Sequence, residues 1–405
     1  MATPQMTPEG WRYDLDPTRH HRERNWDYRG RGIYHITLAV AERYPLFGRL
    51  EGNRAEQAHI ELNEFGEQVW QILSGLSQFY APKGYAIKIL AAQIMPDHIH
   101  VVIQVLEPLP NSIGHVVRGF KTACTMEYKQ RYITDCMSRQ SIGCERASGD
   151  KNIAEMQNTI SSHGTGSAKD ITISSHGSSS LHNILHFVRI FANTGDSGSI
   201  WQPDIARYHD RILHSHDQLQ PMIDYVKDNP RRLWLKRANP DLFRIRRQTM
   251  VAGIECTTLG NIFLAERPMR TVLQCSRKLT QAEIDAKRED CLAKADNGTV
   301  FICAAISEGE KQISRALRRA GYPMIILLNN GFPKPGDPHE RYYKPGGEYF
   351  NACANGQLLL IEPSQALIES PEVEASVYRK AHDVPHSSPR YRFLALNAIG
   401  WMIET

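Results

Sequence analysis

The sequence predicts a mixed α+β chain in two parts. The first is an antiparallel sheet covered by helices, and the second is a parallel, doubly wound α/β sheet. Three observations carry this. From about Tyr28 to Tyr132 the apolar spacing changes in the order β-α-β-β-α, which suits an antiparallel sheet with helices on one face. From about Glu266 onward, continuous apolar strands alternate with helices, the pattern of a parallel sheet buried on both faces. Between them, residues 139–199 are rich in Ser and Gly and offer little to bury.

The elements follow in order. "GIYHITLAV" (32–40) alternates as a strand, and "NRAEQAHIELNEFGEQVWQILSGLSQFY" (53–80) has helical spacing through Ile60, Phe65, Val69 and Ile72. "YAIKILAAQIM" (85–95) and "HIHVVIQV" (98–105) are two strands joined at Pro96-Asp97 as a hairpin. "SIGHVVRGFKTACTMEYKQRY" (112–132) is a helix with Ser112 as its N-cap. The insertion carries "TISSHG" twice, so His163 and His176 invite a metal reading, but the composition favours a flexible segment. "LHNILHFVRIFAN" (181–193) reads as a short amphipathic helix closing it. "IWQPDIARYHDRIL" (200–213) is strand-like, and "SHDQLQPMIDYVKDNPRRLWLKR" (215–237) starts as a helix that Pro230 should end. Beyond it, 241–265 reads as a basic linker and 266–405 as the α/β domain: strands at 269–276, 298–307, 322–330 and 357–363, with helices at 280–295, 308–321, 346–356 and 388–403.

Bulk properties bound the possibilities. The 405 residues suffice for two or three domains, and the 41% hydrophobic and 23% charged content is that of a globular protein. No apolar run approaches the roughly 20 residues of a membrane span. The first residues have no apolar core for a signal peptide. Eight cysteines are scattered with no CxxC pair, which argues against a zinc ribbon or disulfide framework and fits a cytoplasmic location. A net charge of +4 is only mildly basic, so partners must be read from local patches.

The chemistry centres on "MPDHIHVVI" (95–103). Residues i and i+2 of a strand share a face, so His98 and His100 stand side by side, close enough for one metal ion. In "DYVKDN", Tyr225 and Asn229 are four apart on one helix face. A helix laid over the sheet could bring the Asn229 oxygen and the Tyr225 hydroxyl to that ion. On spacing alone, a buried Tyr and a helix-terminal Asn are the favoured reading.

The ordered set "MPDHIHVVI", "IWQPDIARYHDRIL" and "DYVKDNPRRLWL" resembles the single-tyrosine HUH transposases, and most of all their REP-associated branch. The resemblance covers roughly residues 28–240 without the insertion. It implies a ferredoxin/RRM-like HUH nuclease domain, with His98 and His100 binding a divalent metal (Mg²⁺ or Mn²⁺), Asn229 as third ligand and Tyr225 as nucleophile. It also implies cleavage of single-stranded or hairpin DNA through a 5′-phosphotyrosine link, as in DNA transposition and recombination. Tyr208 is the rival nucleophile; the Asn-Pro match selects Tyr225. Two departures stand out: the 139–199 insertion, and a C-terminal region outside the transposase pattern.

"NPRRLWLKRANPDLFRIRR" (229–247) is the candidate DNA surface: Arg231, Arg232, Lys236, Arg237, Arg244, Arg246 and Arg247 supply phosphate contacts, with Trp234 and Phe243 interleaved for stacking. The competing, less favoured reading is a solvated linker with its aromatics in the core. A second, weaker patch is "RHHRERNWDYRGR" (19–31). The C-terminal region loosely resembles the Rossmann-like DprA/LOG (SLOG) group through "CSRKLT", "AISEGEKQISRALRRAG", "LLNNGF" and "ACANGQLLLIEP". Ser307, Gly309, Asn330 and Gly331 would lie at strand ends where such folds bind nucleotides. Ser307 with Glu310 also makes a capping box, and that structural role is favoured. Two functions compete: a tyrosine DNA endonuclease and strand transferase, possible as a homodimer, or a DNA-binding regulator that keeps the fold without cutting. A third reading, another histidine metalloenzyme, is disfavoured because position 102 is Val.

Overall fold

The computed structural model describes residues 26–143, 199–202, 209–329, 331–332, 346–381 and 384–404, together with a short ribbon of 5–7 and 10–12. The repeated "TISSHG" histidines, the 181–193 segment, Tyr208 and Asn330 lie outside the described residues, as does most of the 19–31 patch. The chain divides into two compact units, Met1–Arg232 and Leu233–Thr405.

In chain order the first unit contains β1 (Gly32–Ala39), β2 (Gly48–Glu51), β3 (His59–Leu62), α1 (Glu64–Ser74), α2 (Leu76–Tyr80), β4 (Ile87–Met95), β5 (His98–Val105), α3 (Ile113–Gly143), β6 (His209–Leu213) and α4 (Leu219–Ala238), whose last residues belong to the second unit. Strands β4, β5, β1 and β6 form, in that order, a four-stranded sheet in which every pairing is antiparallel. The alternation of β1 and β5 sorts their side chains. Tyr34, Ile36, Leu38, Ile99, Val101 and Ile103 share a core with Phe65, Val69 and Leu73 of α1 and Val116, Val117 and Phe120 of α3. On the other face Ala91, Val102 and Leu213 meet Met222 and Val226 of α4. Both faces of the sheet are therefore covered, where the sequence suggested one.

Trp201 fixes the return of the chain. It bridges Val40, is buried against Phe47 and Phe120, and donates its indole N–H to the Lys121 carbonyl at 3.0 Å. Two expected elements differ. The helix expected from 53 begins only at Glu64, because β3 pairs with β2 as a two-stranded ribbon and Asn63 caps the helix by accepting the Gly66 N–H at 2.8 Å. Ile60 lies on that ribbon, where alternation outweighs the helical match. The expected stop at Pro230 is also overturned, since α4 runs through it. Proline cannot bond the Val226 carbonyl. The Asn229 side-chain amide reaches that oxygen at 3.4 Å and the Tyr225 carbonyl at 2.8 Å, and so supplies a donor where the helix lacks one.

The second unit contains β7 (Arg246–Val251), β8 (Ile254–Gly260), β9 (Arg270–Val272), α5 (Gln281–Asp296), β10 (Val300–Cys303), α6 (Glu308–Arg319), β11 (Met324–Leu327), α7 (Gly347–Ala354), β12 (Leu358–Pro363), α8 (Gln365–Ile368), α9 (Pro371–Lys380) and α10 (Pro389–Glu404). Its six-stranded sheet has the order β9-β10-β11-β12-β8-β7, with the first four parallel and the last two antiparallel. The expected 241–265 linker is thus largely a hairpin of this sheet. It turns at Ala252-Gly253, both at positive φ, and buries Ile254, Cys256 and Leu259. The winding also differs from expectation. The parallel strands follow one another in one direction, so α5, α6 and α7 pack on one face, and α8, α9 and α10 cover the other.

Ser307 and Glu310 form the expected capping box at the start of α6. Glu310 does more: fully buried, its carboxylate accepts the N–H groups of Ile306 (3.0 Å), Ser307 (3.1 Å) and Cys275 (3.1 Å), tying the segment after β9 to the helix start. Among the described residues, the cysteines whose side chains are placed are free and buried, and no helix is long and apolar enough to cross a membrane. Glu310→Ala would leave these three donors unmatched in the core. It is expected to destabilise the second unit by roughly 3 kcal/mol or more, read as a shift in its urea midpoint.

Candidate active site

The β1–β5 register builds the site. Thr37 pairs with His100, Ala39 with His98 and His35 with Val102, so His35, Thr37, His98 and His100 all stand on the face that α4 covers. The two sequence-predicted histidines are both buried. The His98 Nδ1 lies 2.5 Å from Asp97 Oδ1, whose other oxygen is 2.9 Å from the Arg43 guanidinium. Burial acts to raise the Asp97 pKa, but the His98 hydrogen bond and the charges of His98 and Arg43 prevail and hold it below the usual carboxylate range. On the other imidazole, His100 Nδ1 lies 3.0 Å from Thr37 Oγ1 and 3.1 Å from His35 Nε2.

With each Nδ1 engaged by its own neighbours, the two Nε2 atoms meet at 3.2 Å, their rings nearly perpendicular at 87°. At metal–nitrogen bonds of ~2.1 Å, that separation corresponds to an angle of roughly 100° at one ion. A hydrogen-bonded Nδ1 opposite a ligating Nε2 is the arrangement that fixes a histidine ligand's tautomer. The residues present therefore fit a divalent ion. Among the described residues no group of three or more His, Cys, Asp or Glu side chains could hold a metal.

Helix α4 contributes the rest. Tyr225, Asn229 and Arg232 are spaced i, i+4 and i+7, one face of a helix. The Tyr225 ring stands edge-on to His100 and His35, with centroids 5.7 Å and 6.0 Å away. Burial raises the Tyr225 pKa above its ordinary value, against the lowering effects of the Arg232 charge and a side-chain hydrogen bond from Asn229. Asn229 is buried, with its amide nitrogen engaged by the two helix carbonyls. The Arg232 guanidinium sits 5.3 Å from the centre of the Tyr225 ring.

The basic stretch divides. Arg232 is buried beside Tyr225 and is no part of a solvent-facing patch. Arg231 is bidentate to Asp228 at 2.5 Å and 3.0 Å. Phe243 stacks on Phe350 in the second unit's core, where it cannot receive a base, and Lys236 lies over the same Phe350 ring. Arg246 pairs with Asp241 at 3.4 Å, and Trp234 and Arg247 are half-buried. Arg237 and Arg244 are the exposed cations of the stretch. In the second unit, Ser307 is buried in its cap. Gly309 packs so closely that a Cβ would stand 3.1 Å from that of Cys275, and Gly331 sits at φ +70° against the Glu362 carboxylate. These roles are structural.

His35, Thr37, Asp97 and Arg43 are members of the site that no sequence motif singles out. Asp97 was legible as the residue next to His98, and His35 and Thr37 as the polar members of an alternating strand. Their convergence depends on register.

No family model matches the chain. A Haemophilus influenzae protein described as uncharacterized is 27% identical over 130 residues, spanning 26% of this chain and 67% of that protein.

A divalent ion on His98 and His100 would stabilise the folded first unit. Mn²⁺ is expected to raise the melting temperature of the native chain and to leave His98→Ala and His100→Ala unchanged, as differential scanning fluorimetry would read.

Proposed function

We propose that the chain is a metal-dependent single-stranded DNA endonuclease and strand transferase of the single-tyrosine HUH type, with Tyr225 as nucleophile. The observation that carries this reading is the pair of Nε2 atoms 3.2 Å apart with the Tyr225 ring beside them. His98 and His100 would hold the ion, with Asn229 as the third ligand. Neutral imidazole and amide oxygen suit Mg²⁺ or Mn²⁺. A bound divalent ion would supply charge neutralisation at the scissile phosphate.

The chain's own residues do the remainder. A phenol with a raised pKa is a poor nucleophile in bulk water, so attack requires the hydroxyl to be held in line in a site that excludes solvent. The edge-on packing of Tyr225 against His35 and His100 fixes its ring. Its oxygen attacks phosphorus, the bond to O3′ breaks, and a 5′-phosphotyrosine diester and a free 3′-hydroxyl result. One diester replaces another, so the strand can be rejoined to a new end. Arg237 and Arg244, the exposed cations of the basic stretch, are the side chains we propose for contacts with the DNA backbone.

We read the second unit as a Rossmann-like relative of the DprA/LOG group, with a nucleotide, DNA or a second copy of the chain as its partner, and the whole as a cytoplasmic DNA-processing protein. Incubation with labelled hairpin DNA and Mn²⁺ tests the main reading. A covalent adduct on Tyr225 that disappears with EDTA, in Tyr225→Phe and in His98→Ala is expected on denaturing gels. Binding to many hairpins without any adduct would instead favour a regulator that keeps the fold.

A further inference from the structure

We infer that His35 is a positioning residue for the metal centre: it accepts the His100 Nδ1 hydrogen and so leaves His100 Nε2 bare for a divalent ion. This rests on the metal-dependent reading above.

The two candidate ligands differ in what stands behind them. His98 Nδ1 faces Asp97 Oδ1 at 2.5 Å. An ionised carboxylate only accepts, so the bond requires a hydrogen on His98 Nδ1. Behind His100 the neighbours are of another kind. Its Nδ1 lies 3.1 Å from His35 Nε2 and 3.0 Å from Thr37 Oγ1. A neutral imidazole and a hydroxyl can each either donate or accept. The place of the His100 hydrogen is therefore set by the place of the hydrogen on His35. With its hydrogen on Nε2, His35 donates to His100 Nδ1, and a neutral His100 then carries its own hydrogen on Nε2, where no metal can bind. With its hydrogen on Nδ1, His35 offers a bare Nε2 to His100 Nδ1–H. Only this second arrangement lets the two Nε2 atoms, 3.2 Å apart, share one ion. Thr37 is the weaker candidate for the same role. One N–H serves one acceptor well, and an imidazole nitrogen is a far stronger base than a hydroxyl oxygen.

The fold holds His35 where this role requires it. Strand β1 pairs Thr37 with His100 and His35 with Val102, so His35 lies on the same face and reaches His100 on the diagonal. The residue is 6% exposed, and a buried imidazole needs hydrogen-bond partners. Its Nε2 addresses the His100 nitrogen that is turned away from His98, so His35 stands behind the ligand and not at the ion. The same ring meets Tyr225 edge-on, with centroids 6.0 Å apart. One side chain thus bears on both a metal ligand and the nucleophile.

The test uses the full-length chain with isotope-labelled histidine, in saturating Mg²⁺. Imidazole nitrogen NMR reports which nitrogen of each ring carries the hydrogen, and the spectrum of His35→Gln identifies the His35 signals. His35 and His100 are both expected to carry it on Nδ1. Mn²⁺ affinity, read by electron paramagnetic resonance, is expected to fall about 10–100-fold in His35→Leu, the usual scale for losing a group behind a metal-bound histidine. His35→Gln, whose side-chain oxygen can accept the same hydrogen, is expected to recover most of that loss, which a packing role would not do. A loaded chain with the His35 hydrogen on Nε2 would overturn the assignment. So would native affinity in His35→Leu, or equal losses in His35→Leu and His35→Gln. The NMR measurement is made on the native chain, so it decides even if His35→Leu does not fold. A native chain that binds neither Mg²⁺ nor Mn²⁺ fails the metal reading itself, a result seen before any variant is compared.

Discussion

The site depends on one constraint, the antiparallel register of β1 against β5. Because strand side chains alternate strictly, this register decides that His98 and His100 share a face with Thr37 and His35 and that Ile99 and Val101 face the helices. A slip of one residue would bury the imidazoles in the α1–α3 core and expose the isoleucines to α4. The apolar residues of β5 thus specify where the imidazoles point as firmly as the histidines do. The hairpin to β4 repeats the same register on the other side, placing Gln93 opposite His100 and Met95 opposite His98.

A second constraint lies in α4. Its apolar residues Met222 and Val226 seat the helix on the sheet, and the same seating aims Tyr225 at the imidazoles. Pro230 interrupts the hydrogen-bond ladder one turn later, and the Asn229 amide makes good the loss. One side chain thereby links helix continuity to the chemistry proposed for its oxygen. This coupling explains how a helix can run through a proline and still carry Arg232 to Tyr225.

Much of the first unit could be read in the sequence, because β1, β4 and β5 have clean alternation and α1 and α3 have apolar stripes. What failed did so for local reasons. Ile60 fits both a helical and an alternating pattern, and only the partner strand β2 decides between them. Pro230 is a stop signal unless the neighbouring side chain supplies a donor, which spacing rules do not see. The hairpin at 246–260 reads as charged linker because it opens on Arg246 and Arg247 at the end of a basic run, while its buried Ile254, Cys256 and Leu259 are spread thinly. At the site, the histidine pair and Tyr225 were legible from spacing and motif order. Arg232 was visible only as one cation among many, and nothing in the sequence distinguishes it from Arg231. Position on the helix face, and the presence of Asp228 three residues before Arg231, separates them.

Trp201 has a consequence for how the chain can vary. Its backbone bridge to Val40 and its indole bond to the Lys121 carbonyl clamp together the last strand's approach, the first strand's end and helix α3. The chain that leaves α3 must therefore come back to a fixed point, whatever its length. The entropic cost of closing such an excursion grows only logarithmically, at about 0.6 kcal/mol for each doubling. The tryptophan clamp thus sets the point at which the described fold resumes after α3, in register with the strand that ends beside His98.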